Sequence, residues 1–110
     1  MATAYKVLGQ QNPSATTEVS LYKPSGVSAV VSTITVCNQD GSNTQTYRIA
    51  VRKTGESSTA AKNWIVYGAS VGALDTITLT LGITLEDGAD IRVYASSANL
   101  SFSAFGSEIA

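Results

Sequence analysis

At 110 residues, with 44% apolar and only 14% charged residues, the chain is sized for one domain with its own core, and its surface must be built from Ser and Thr more than from charges. A formal net charge of −1, with seven Lys and Arg spread thinly, excludes the basic stripe that nucleic acid requires. A single cysteine and no histidine exclude an intrachain disulfide framework, a Cys/His zinc site and the commonest general base.

The first strand is expected from Tyr5 to Gly9, ended by the loop signal Gln-Gln-Asn-Pro-Ser. A second follows from Glu18 to Lys23, where Val19 and Leu21 alternate with Ser20 and Tyr22, and Pro24-Ser25-Gly26 turns the chain. From Ser28 to Asn38 the run is long and β-branched. Alternation puts Val30, Ile34 and Val36 on one face and Val31, Thr33, Thr35 and Cys37 on the other, as in a central strand covered on both sides for part of its length, with Cys37 a small buried hydrophobe. After the turn Asn38-Gln-Asp-Gly-Ser-Asn, the strand Thr46 to Lys53 turns Tyr47, Ile49 and Val51 inward and Arg48, Ala50 and Arg52 outward, giving a basic outer face.

Residues 54–62 form a polar loop, the best candidate for mobility or for contact with a neighbour. A strand from Asn63 to Gly68 carries Trp64 and Val66 on one face and Ile65 and Tyr67 on the other, and Gly68-Ala-Ser-Val-Gly72 reads as a connecting loop. Leu74 to Phe105 then holds three period-two runs, Thr76 to Leu81, Asp90 to Ala95 and Asn99 to Phe105, separated by the Glu86–Asp90 and Ser96–Asn99 turns. Their apolar positions Ile77, Leu79, Leu81, Ile91, Val93, Leu100 and Phe102 are expected to supply the largest share of the core. Phe105 falls out of phase, which a β-bulge near Ala104 to Gly106 would explain. About eight antiparallel strands, no helix of useful length and no internal linker predict an all-β fold: one sandwich domain over residues 1–110, jelly-roll or immunoglobulin-like in topology.

Nothing in the sequence assembles a catalytic set, so no catalytic, cofactor-binding or metal-binding residue is assigned. Gly68-Ala-Ser-Val-Gly72 matches the spacing of a nucleophile elbow but has neither a histidine partner nor a strand-to-helix turn. Glu86, Asp87 and Asp90 are the densest carboxylates, and they read as solvated acids of a hairpin turn, not as a cation site or a glycosidase pair. Arg48, Arg52 and Lys53 either dock an acidic neighbour or solvate an outer sheet face. Tyr5, Tyr22, Tyr47, Tyr67, Tyr94 and Trp64 recur along the strands; they fit a sugar platform less well than core and interface packing. Asn99-Leu-Ser101 has the form of a glycosylation sequon, but the chain's first ten residues lack the basic and apolar regions of a signal peptide and no run is long enough to span a membrane. The chain is therefore expected to be made, and to fold, in a cytoplasm, with no membrane partner.

The strings Ala-Tyr-Lys-Val-Leu-Gly-Gln at 4–10, Val-Val-Ser-Thr-Ile-Thr-Val-Cys-Asn at 30–38, Tyr-Arg-Ile-Ala-Val at 47–51, Leu-Thr-Leu-Gly-Ile-Thr-Leu at 79–85 and Val-Tyr-Ala-Ser at 93–96 give the chain a texture that resembles small all-β virion proteins of tailed bacteriophages, nearly end to end. The resemblance implies a non-enzymatic structural protein located in the virion and made in the host cytoplasm. It implies self-association, often as trimers, and contacts with the major capsid protein or with tail proteins. Capsid decoration or cement is the leading expectation; a tail, baseplate or fibre component is the alternative, and a carbohydrate-binding module using Trp64 or the tyrosines is a third reading of another class. Long, weakly charged sheet edges independently point to a homo-oligomer.

Overall fold

The computed structural model describes residues 3–110. All eight expected strands are present: β1 (Thr3–Gln11), β2 (Glu18–Tyr22), β3 (Ser28–Asn38), β4 (Gln45–Arg52), β5 (Trp64–Val71), β6 (Thr76–Leu85), β7 (Asp90–Ala95) and β8 (Leu100–Ile109), with one 3₁₀ turn at Ala61–Asn63. Four strands run further than the alternation alone indicates. β5 and β6 continue through Gly68 and Gly82, whose φ of 82° and 62° lies where only glycine is unstrained. Both glycines sit at or beside irregularities of the ladder, inside strands that they had been expected to end. The connecting loop expected at Gly68-Ala-Ser-Val-Gly72 is thus mostly strand.

The strands form two four-stranded antiparallel sheets packed face to face, in the orders β1-β8-β3-β6 and β2-β7-β4-β5. The first half of the chain pairs with the second in reverse: β1 with β8, β2 with β7, β3 with β6 and β4 with β5. One long antiparallel hairpin has been wrapped so that successive pairs fall in alternate sheets. Of the two expected topologies, this is the jelly roll. β3 is central as expected, but only one of its faces is covered: Val31, Ile34 and Val36 pack against the other sheet, while Val30, Thr33, Thr35 and Cys37 are half-buried on the outer face; β1, β6, β2 and β5 are the edges.

The core lies between the sheets. Ile91, Val93 and Ala95 of β7 and Leu100, Phe102 and Ala104 of β8 are fully buried against Val31, Ile34 and Val36 of β3 and Ile49 of β4. The Tyr47 and Phe102 rings meet edge to face at 6.3 Å. β6 contributes less than expected because it is an edge: Ile77 and Leu79 are only half-buried, and Leu81, opposite an irregularity, is 43% exposed.

The facing of β3 also differs from simple alternation. Its register shifts between Val31 and Thr33 against both neighbours. Ser32 is an extra residue relative to β8, so Val31 and Ile34 both point into the core while Val30 and Thr33 point out. Cys37, on the outward phase, is half-buried instead of buried. The bulge expected in β8 therefore belongs to its neighbours, at Ser32 of β3 and Leu8 of β1, and β8 keeps strict phase with Phe105 outward. A Cβ on Gly106 would stand 2.0 Å from the Val30 carbonyl oxygen, and one on Gly9 at 2.0 Å from that of Leu21. These two positions are glycine for lack of space. Gly106→Ala is expected to cost about 1–3 kcal/mol, read as a fall in the urea midpoint, whereas Gly41→Ala, which meets open space, should stay within about 0.5 kcal/mol of the parent.

Candidate functional site

The sandwich has two outer faces of unlike chemistry. On the sheet β2-β7-β4-β5, cross-strand register aligns Glu18, Tyr94, Arg48 and Tyr67 in one row over all four strands. The Arg48 guanidinium carbon lies 4.4 Å from the Tyr94 ring centroid, 4.2 Å from Tyr67 and 5.9 Å from Trp64. Trp64 joins this side because β5 shifts register between Trp64 and Val66. Trp64 and Tyr67, expected on opposite faces, share one and meet edge to face at 5.4 Å, while Val66 turns to the core. Among the described residues Arg48 has no carboxylate partner within ion-pair distance, and aromatic faces hold its charge instead. Beside it, Ala61, Trp64 and Tyr67 line an open groove of about 500 Å³.

One step along the sheet, the charges satisfy one another. Glu18 Oε2 accepts from Arg52 Nη2 at 2.9 Å, Arg92 Nε at 2.9 Å and Thr59 Oγ1 at 2.7 Å. Asp90 Oδ2 pairs with Arg92 Nη1 at 3.3 Å, and its other oxygen accepts from the Ser20 hydroxyl. Burial alone would push the Glu18 carboxyl up, but the hydrogen bonds from Thr59 and Arg92 and the two guanidinium charges hold it below the usual carboxylate range. Arg52 is thus spent on Glu18, and the expected basic face is neutralised in part, with Arg48 held by aromatic rings instead. The 54–62 loop is anchored as well. Thr59 ties it to Glu18, and Glu56 accepts from Lys62, from the Lys53 amide and from Asn63, with Lys62 leading the interactions that bring its carboxyl down to about 2.

The acids at 86, 87 and 90 do not converge. Asp90 is buried on β7 and not solvated, Asp87 Oδ1 accepts from the Gly26 amide, and Glu86 caps a tight turn through its carbonyl. Among the described residues no three such groups gather into a metal site. Ser70 is an exposed strand residue of β5, and Asn99 lies exposed in a turn. The six aromatics also divide. Tyr47 is core, Tyr22 is buried and donates its hydroxyl to Glu108, Tyr5 stands 85% exposed on β1, and only Trp64, Tyr67 and Tyr94 assemble.

The outer face of the sheet β1-β8-β3-β6 carries no Asp, Glu, Lys or Arg on any of its strands. Its rows read Tyr5–Ser107–Val30–Thr84, Val7–Phe105–Thr33–Thr80, Gln10–Ser103–Thr35–Thr78 and Ser101–Cys37–Thr76. The only charged residues of these strands, Lys6 and Glu108, lie on the inward phase and pair with each other at 2.6 Å. Tyr5 and Val7, 85% and 50% exposed, are bare apolar residues at one margin of this face. The signal was present in the sequence, since β3 and β6 contain no charged residue, but nothing in a sequence says that these strands adjoin.

No protein-family model matches the chain, and no curated protein sequence does.

Two outcomes follow. Glu18→Gln should cost about 1–3 kcal/mol at pH 7 by leaving Arg52 without a counter-charge and Arg92 with Asp90 alone. Because the Glu18 carboxyl is depressed by folding, its contribution is complete above the ordinary value of 4.5 and fades as pH falls through the folded value, so parent and variant should converge in acid-side urea melts. Arg48→Ala should cost about 1–2 kcal/mol and shift the emission of Trp64, the chain's single tryptophan.

Proposed function

We propose that the chain is a non-enzymatic structural protein of a tailed-phage virion, acting as a capsid decoration or cement protein through protein–protein contact. The observation that carries this reading is the charge-free outer face of β1-β8-β3-β6. Covering such a face removes hydroxyls and apolar groups from water but strands no ion, so area and shape alone can hold it against a neighbour. The near end-to-end resemblance to small virion proteins supports the phage assignment. The fold is compatible with the role and does not choose it, since jelly rolls serve capsids, lectins and enzymes alike.

In this role the protein acts by mass action. It binds the assembled lattice and not the separated subunits, so each bound copy lowers the free energy of the closed shell relative to the opened one. The described residues form a slab of 47 × 28 × 19 Å with two broad faces, a shape suited to lying on a surface. The charge-free face would then meet a neighbouring protein of the decoration layer, leaving the charged and aromatic face toward solvent or a further neighbour.

One observation favours a different class: the groove at Trp64 and Tyr67 offers a ring to a sugar face. Its weakness is geometric, because the two rings stand 72° apart and Arg48 already covers Tyr67 from one side, leaving no flat platform.

Quantitative analysis of purified particles tests the proposal. Decoration predicts a copy number that scales with the capsid lattice, and particles without the protein that open at lower temperature. A copy number set by the tail would replace decoration with the tail reading, absence from particles would remove the virion role, and binding on a glycan array lost in Trp64→Ala would favour the sugar reading.

A further inference from the structure

We infer that the outer face of β1-β8-β3-β6 is where a second copy of this chain packs, sheet against sheet about a two-fold axis. The inference deepens the contact-surface reading above by naming the occupant. Three observations select a second copy. First, the face is compatible with itself. Ser103, Thr35 and Thr78 at its middle carry hydroxyls that both donate and accept, so the same surface can satisfy itself across a two-fold, which a face of one charge sign cannot. Second, the opposite face is not compatible with itself, because stacking it would desolvate Arg48 and the Glu18–Arg52–Arg92 cluster. Third, the area suffices. Four strands about 4.8 Å apart and about ten residues long at about 3.3 Å per residue project roughly 600 Å², so two copies bury on the order of 1,200 Å², above the ~1,000 Å² that a specific interface requires.

Aligned sheets stack about 10 Å apart, close enough for the Val7–Phe105 row to enter the partner surface while the threonines pack beside it. The contact is between faces and leaves the β1 and β6 edges free, so it does not propagate as edge pairing would.

Sedimentation velocity of the full chain over a concentration series is expected to show a dimer. Thr35→Arg places a guanidinium in the middle of the face and should weaken that dimer by on the order of a hundredfold, with far-UV circular dichroism unchanged and melting unchanged at concentrations below the dimerisation range. Arg48→Ala, on the other face, should leave dimerisation as it is. A second measurement needs no substitution: Cys37 lies on the stacked face, so its labelling by a maleimide should slow as concentration passes the dimerisation range. A monomer throughout the series, or a dimer with undiminished affinity in Thr35→Arg and undiminished Cys37 labelling, overturns the inference. The virion role fails separately, by absence from particles, and a solution dimer would stand without it.

Discussion

Ser32 is the residue on which the arrangement of the first sheet depends. Strict period-two alternation along β3 cannot place both Val31 and Ile34 in the core, yet both are fully buried, because one extra residue between them resets the phase. Near the same level of the sheet β1 and β6 are irregular too. Leu8 is extra in β1, and Leu81 and Gly82 lie opposite the Ser32 bulge in β6. β8 alone runs through without a break, and Gly106 brings it against the Val30 carbonyl where a side chain would not fit. With the phase reset, Val30, Thr33, Thr35 and Cys37, none of them charged, are the residues that face outward along β3.

That phase control separates two kinds of surface. The sheet β2-β7-β4-β5 concentrates strand charge outside and neutralises most of it locally, with Glu18 held by two arginines and a threonine and Arg48 enclosed by three aromatic rings. The other sheet has none on its outer face. Water therefore holds the first face more strongly than the second, because ions and their hydrogen-bonding partners are costly to desolvate and hydroxyl and methyl groups are not. A slab with one well-solvated and one readily covered face is asymmetric in the way an assembly module requires, and this asymmetry links the fold to the proposed role.

Much of the architecture was legible in the residues. Alternation in Ile77–Leu79, Ile91–Val93 and Leu100–Phe102 locates strands whatever their partners, and the central position of β3 is legible in its long, charge-free, β-branched run, although only one of its faces is covered. What escaped was anything decided between strands. Gly68 and Gly82 read as terminators because a glycine at positive φ looks the same from the sequence whether it ends a strand or bulges within one, although continued alternation after Gly82 was a usable clue. Trp64 and Tyr67 could be brought to one side only by a register shift against β4. Asn38 looked like a turn residue and is a buried tie, its amide donating to the Asn43, Val71 and Gly72 carbonyls and its oxygen accepting from the Asp40 amide. The charge-free face needed the order β1-β8-β3-β6, which is long-range information.

The central claim is that the molecule makes its contacts through the uncharged sheet face. Hydroxyl-radical footprinting of the protein, free and assembled, measures this side chain by side chain. The account predicts that Tyr5, Val7 and Phe105 lose reactivity on assembly while Trp64, Tyr67 and Tyr94 keep theirs. Protection of Trp64, Tyr67 and Tyr94 with Tyr5, Val7 and Phe105 unchanged would contradict it.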